Sequence, residues 1–169
     1  MRELLSRRNV VIAAGSAGVL LLGWALFAPE SDEEQIRALL ERLAREIAVE
    51  GETNILFRTA RLNKAFEEIF TEDVSVSIPE LTSLARGRGE LARVAARAGS
   101  HFQNAEVSVK SVDVTFGPTP AHGKAACVAV LSSTDGSRPR RDERRVDFTL
   151  LKRDGDWRID GIIVGERPE

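Results

Sequence analysis

The segment RDGDWRIDG places Asp154, Asp156 and Asp160 within nine residues, and carboxylates at alternate positions are how a calcium loop begins. Such a loop needs oxygen ligands at positions 1, 3 and 5, glycine at 6 and a bidentate glutamate at 12. Counted from Asp154, Asp156 falls at position 3, but Arg158, Ile159 and Gly165 occupy positions 5, 6 and 12. The ion reading fails at those three. A tight turn fits better, because Asp154-Gly155 supplies the positive φ that a two-residue hairpin demands. Trp157 and Ile159 share one parity and Ile162 and Val164 the other, so Asp160-Gly161 reads as a bulge. His101 and His122 have no zinc-ligand spacing. No metal and no cofactor is expected.

A second chemical feature is charge. GSRPRRDERR, Gly136 to Arg145, carries Arg138, Arg140, Arg141, Arg144 and Arg145, a set suited to anionic lipid headgroups, a cell-wall polymer or an acidic protein surface. The competing reading is a solvated hairpin loop, partly neutralised by Asp135, Asp142 and Glu143. The composition of TDGSRPRRDE predicts a polar loop of eight to ten residues. Cys127, flanked by Ala125, Ala126 and Val128, reads as a small buried apolar residue, since a reactive thiol wants exposure and positive neighbours. As the sole cysteine it makes neither an internal disulfide nor a cysteine-based zinc site.

With 169 residues, 43% hydrophobic and 30% charged, the chain has ordinary globular usage and the length for one domain with one core. A net charge of −2 excludes a dedicated nucleic-acid binder, which needs a dominant basic face. Residues 10 to 28, VVIAAGSAGVLLLGWALFA, contain no charge across 19 positions, and a helix of that length rises about 28 Å, close to a bilayer's hydrocarbon thickness. Arg2, Arg7 and Arg8 precede it, whereas Glu30, Asp32, Glu33 and Glu34 follow. The positive-inside rule therefore puts residues 1–9 in the cytoplasm and the rest of the chain outside.

Export has alternative routes. LFAPE is a poor cleavage site, because Pro29 follows Ala28, so a retained anchor is favoured over a cleaved signal. SRRNVV, Ser6 to Val11, resembles the twin-arginine export motif, which would carry the domain across already folded. Both routes lead to one expectation: a single-pass protein of a bacterial inner membrane, held in the bilayer by residues 10–28, with its C-terminal domain in the periplasm or outside the cell.

The elements that position these residues follow from periodicity. In SDEE, Ser31 and Glu34 have the capping-box spacing, and Ile36, Leu39, Leu40, Leu43 and Ile47 then mark one helical face. A second helix is predicted from about Asn54 to Phe70, with Leu62, Ala65, Phe66 and Ile69 as its buried stripe. DVSVSIP alternates Val74, Val76 and Ile78 against polar residues, a half-buried strand ended by Pro79. A third helix follows, with Leu91, Val94, Ala95, Ala98 and Phe102 on its predicted face. From Glu106 on, the pattern is strand: a bulge near Lys110 and Ser111 would keep Val107, Val109, Val112, Val114 and Phe116 on one core. About four long antiparallel strands complete a segregated α+β arrangement.

This order resembles the cone-shaped fold of the nuclear transport factor 2-like superfamily, which includes the SnoaL-like polyketide cyclases and ketosteroid isomerase. FEEIFTEDVSVSIP at 66–79, RGRGELARVAARA at 86–98 and LLKRDGDWRIDGIIV at 150–164 carry the resemblance, which spans most of a domain at 31–166. It implies three helices packed on a curved, mostly antiparallel sheet, here preceded by one transmembrane helix, and often a homodimer through the sheets. Catalytic members use an aspartate with a tyrosine or histidine inside the cone. This chain has no tyrosine, and its candidates are His101, His122, Asp113 and Asp147. Asp147 lies between Val146 and Phe148 and so faces away if those two face the core. Membrane-anchored members include assembly factors of secretion machines. The expected role is therefore non-enzymatic: binding an envelope protein partner or a small apolar ligand, with a small-molecule isomerase or cyclase as the alternative.

Overall fold

The computed structural model describes residues 30–51, 54–78, 85–135 and 138–165. Residues 1–9, the predicted span at 10–28 and Pro79 lie outside them. Among the described residues no helix is long and apolar enough to cross a membrane.

The apolar repeat after Ser31 folds as helix α1, Asp32–Ile47, burying Ile36, Leu40, Leu43 and Ala44 along one face. Asp32, in its first turn, accepts hydrogen bonds from Lys152 Nζ and Trp157 Nε1, fixing the start of the helix to the sheet. Helix α2, Ile55–Ile69, is capped by Asn54, whose side chain accepts from Leu56 N at 2.8 Å. Its buried stripe is the predicted one with an addition, Arg58.

Strand β1, Val49–Glu50, separates these helices. Strand β2, Phe70–Ser77, leaves α2 directly, with Val74 and Val76 buried as their alternation requires. Strand β3, Ala85–Arg86, leads into helix α3, Arg88–Gly99. The long strands follow: β4, Asn104–Phe116; β5, His122–Asp135; β6, Arg138–Arg153; and β7, Asp156–Val164. They join one seven-stranded sheet in the order β1-β4-β5-β6-β7-β2-β3, antiparallel except where β2 runs alongside β7.

Two bulges appear where the parity changes place them. The β4–β5 register shifts between Lys110 and Asp113, with Ser111 at φ 52. Thr149 opposes Gly161 while Leu150 opposes Ile159, which leaves Asp160 as the extra residue in β7. Its carboxylate accepts from the buried Thr71 hydroxyl at 2.8 Å, tying the bulge to the parallel neighbour β2. The β6–β7 turn has φ 55 at Asp154 and φ 94 at Gly155, both positive as a two-residue hairpin needs. Each of the three aspartates of RDGDWRIDG thus has a separate place: turn, strand start and bulge.

Three expectations need correction. The third helix buries Ala92, Ala96 and Gly99, with Leu91 and Ala95 partly covered, while Val94 is 40% exposed and Ala98 is on the surface. The predicted face is rotated by about one residue because α3 packs on α2 through its smallest side chains, which allow close approach. On β4, Val109, Val112 and Val114, all partly buried, pack on the core, whereas Val107, buried to the same class, lines the groove beside the end of α1 and Phe116 remains 48% exposed against Trp157 at the sheet's end. Finally, the polar loop at Thr134 to Glu143 is mostly strand. Asp135 already pairs with Arg138, and the hairpin continues from there to His122 and Leu151. Residues 138–141 are exposed there, so no apolar alternation marks the strand.

The Asp32 contacts carry a pH dependence. Its hydrogen bonds from Lys152 and Trp157 hold the carboxyl below the usual carboxylate range. A depressed folded-state pKa contributes stability above the unfolded-state value and loses it as pH falls through the folded one. Asp32→Asn should therefore lower stability at pH 7 and flatten its decline from about pH 4 downward, measured as denaturation midpoint against pH.

Candidate functional site

Strand alternation divides the five arginines of β6. Arg138, Arg140 and Arg144 share the parity of buried Val146, Phe148 and Leu150, whereas Arg141 and Arg145 share that of exposed Asp147. The sequence groups them, but the strand presents them on two faces. Arg141 donates twice to Glu143 Oε1, at 2.6 and 3.1 Å, and Arg144 donates to Asp142 Oδ2 at 3.1 Å. The Arg141 bonds, with Lys110 contributing charge, hold Glu143 below the usual carboxylate range. Arg140 and Arg141 also line an open groove of about 890 Å3 between the end of α1 and the β5–β6 hairpin, opposite Arg45 and Glu50. Glu106 and the buried Ser133 complete its mixed polar wall.

The acid–base candidates do not converge. Asp113 and Asp147 both pair with Ala126, one on each side, so they stand about 10 Å apart on the outer face of the sheet. His122 is exposed at the start of β5, and His101 is exposed in the turn after α3. Between helices and sheet the buried side chains are large and apolar. Ile36, Leu40, Leu62, Phe66, Phe70, Leu150 and Ile159 are each 1% exposed or less, and Phe66 meets Phe70 edge to face at 4.7 Å.

Cys127 belongs to this core, and burial, with Asp147 adding negative charge, pushes its thiol up to about 11. In the native protein at pH 8 only ~0.1% of it is thiolate, so a thiol-specific reagent should react at least about 100-fold more slowly than with the unfolded chain. Equal rates before and after denaturation would contradict this placement.

Sequence reading missed Arg58. Its side chain is 4% exposed and donates to Ile47 O at 2.8 Å and Ala48 O at 3.1 Å, closing the carbonyl end of α1. Its Nε is buried without a partner among the described residues. Desolvation, then the nearby Arg61 charge, holds this guanidinium below its usual pKa. The signal was present as spacing, since Arg58 lies four residues before Leu62 on the apolar stripe of α2. Among the described residues, no group of three or more histidine, cysteine, aspartate or glutamate side chains is gathered closely enough to hold a metal ion.

Three helices against a curved, mostly antiparallel sheet define the nuclear transport factor 2-like, cystatin-like fold. The chain belongs to the SnoaL-like domain family, whose model matches residues 57–162. Solved structures share the architecture at low identity. One is a nuclear transport factor 2-like protein from Novosphingobium aromaticivorans, with TM-score 0.63 and 17% identity, covering 89% of this chain and 86% of its own. Another is a nuclear transport factor 2-like superfamily protein from Salmonella enterica serovar Typhimurium, with TM-score 0.64 and 12% identity, covering 81% and 92%. A third is a Mycobacterium tuberculosis protein of unknown function, with TM-score 0.63 and 17% identity, covering 80% and 75%. These likenesses speak for the fold alone. No curated protein matches the chain in sequence.

Proposed function

We propose that the chain is a membrane-anchored, non-enzymatic binding module working outside the cytoplasm of a bacterial cell. Residues 10–28 serve as the anchor, and the domain engages an envelope protein partner. The supporting observation is the placement of the polar candidates: Asp113, Asp147, His101 and His122 lie outside the space between helices and sheet, where seven large apolar side chains are buried. An isomerase or cyclase, the alternative that membership in a family with isomerases keeps in view, needs polar groups converging in an apolar pocket. A small apolar ligand would have to displace core side chains. The groove at Arg140 and Arg141 offers a partner an open surface instead, where charged side chains border apolar ones such as Ala48, Val49 and Val107. The outer sheet face around Asp147 is the surface for a homodimer.

The test has two arms in cells. A reporter active only outside the cytoplasm, fused after Glu169, should be active, and activity of a cytoplasm-only reporter would overturn the topology. Photocrosslinking groups at positions 141 and 147 of the full chain should trap a discrete partner and a second copy, respectively. Absence of any adduct from both positions would overturn the binding-module reading.

A further inference from the structure

Away from the core and from the arginines of β6, a second set of cations converges where α1 meets α2. Arg45 on α1 and Arg58 and Arg61 on α2 line a cleft of about 200 Å3, and Glu50 is the carboxylate among its lining residues. Three guanidiniums against one carboxylate leave an excess of positive charge. Arg58 makes the excess consequential, because it is buried and its hydrogen bonds go to neutral carbonyl oxygens. A buried cation ordinarily sits against a carboxylate, since desolvation is offset chiefly by opposite charge. The carbonyl end of α1 supplies only part of that, about half a charge. Arg61 adds to the imbalance, as its like charge acts on Arg58.

The donors are also positioned in advance. Arg58 spends two N–H groups on Ile47 O and Ala48 O, and Arg61 spends one on Glu46 O at 3.3 Å. Each guanidinium has five, so others remain for a ligand. Those carbonyl bonds fix the planar forks, which lowers the entropy lost when an anion is gripped. Arg45 meets Glu41 at 3.9 Å, a solvent-exposed pair that contributes little and exchanges readily. The buried Nε of Arg58, without a partner among the described residues, lies against Gly99 of α3, so Arg58 acts on the cleft through its charge and its terminal N–H groups.

We propose that this cleft is a binding site for an oxyanion, a carboxylate or phosphate group, gripped by Arg45 and Arg61 with Arg58 behind them. A volume of about 200 Å3 lies below the usual range for whole small-molecule ligands. It suits one anionic group, either a free oxyanion or an acidic side chain of a partner. The site deepens the binding-module reading and rests on it, by naming the chemistry of the group that makes contact.

The test uses the full chain in detergent micelles and reads thermal unfolding. Midpoints are compared in phosphate against chloride, and in hexaglutamate against hexaglutamine, each at matched ionic strength. Phosphate stabilises most proteins by exclusion from their surface, so the readout is the difference between the wild type and a doubly substituted protein, Arg45→Ala/Arg61→Ala. At about ten times Kd the midpoint of the wild type should rise by roughly 4 °C more than that of the double substitution. A gain with phosphate alone identifies a free oxyanion as the ligand, and a gain with hexaglutamate identifies an acidic protein segment. Equal shifts for both proteins with both probes would overturn the site. Should the double substitution fail to fold, Glu50→Gln decides: removing the cleft's carboxylate should enlarge the shift seen in the wild type, and an unchanged shift overturns the site. Neither readout depends on the crosslinks at 141 and 147, so a trapped partner with no anion effect would remove the anion site and leave the binding module standing.

Discussion

Gly99→Ala is expected to destabilise the domain by about 1–3 kcal/mol, although alanine for glycine inside a helix ordinarily stabilises by about 1 kcal/mol. The reversal comes from Arg58. A Cβ at position 99 would stand 2.6 Å from Arg58 Nε and 2.8 Å from Cζ, too close for the guanidinium to stay. An exposed arginine would swing aside at little cost. Arg58 cannot, because it is buried and bonded to Ile47 O and Ala48 O, and moving it gives up two part-buried hydrogen bonds worth about 0.5–1.5 kcal/mol each. The same change made with Arg58→Ala already present should be neutral or stabilising by up to about 1 kcal/mol, because only helix propensity remains. Denaturant unfolding of the four proteins in this cycle measures the coupling. Additive effects would mean that Gly99 is not reserved for the arginine.

The pieces that chain order alone determines were legible. Asp154-Gly155 and Asp160-Gly161 are local signals, and turn and bulge follow from parity and φ preference over a few residues. The stripes of α1 and α2 were legible because large aliphatic side chains recur on a single face. For α3 the rule misled: Leu91 and Val94 drew the predicted face toward bulk, whereas the real contact needs the smallness of Ala92, Ala96 and Gly99. That requirement is set by α2, a neighbour the local pattern does not contain. The hairpin end failed for another reason. Residues 138–145 are rich in charge and include Pro139, and the first four are exposed, so nothing enforces alternation there and backbone pairing to β5 makes the strand. Arg58 was visible as a charge on an apolar stripe, but only the carbonyl end of α1 explains it. The cleft and the groove are assembled from residues distant in sequence, so their spacing carried no motif.

Phe66→Ala should have the largest effect of the core changes, a loss of about 3–5 kcal/mol. The ring is 1% exposed and packs edge to face on Phe70, so its removal takes away apolar burial and an aromatic contact together. Small domains commonly retain about 5–15 kcal/mol, so the substituted protein should remain folded at 25 °C in dilute buffer. It would then contain the apolar space vacated by the ring, between helices and sheet among groups such as Leu62, Phe70 and Ile159. Such a cavity stays dry and accepts a molecule of benzene's size. Benzene should therefore raise the midpoint of Phe66→Ala and leave the wild type unmoved, and calorimetric titration should show binding to the substituted protein alone. The contrast bears on function as well as packing. In a cone-shaped fold, a few side chains decide how much room a ligand has, and here Phe66 is one of the large buried ones. Uptake of benzene by the wild type would show that the interior yields to ligands, and the preference for a binding module over an isomerase would lose its support.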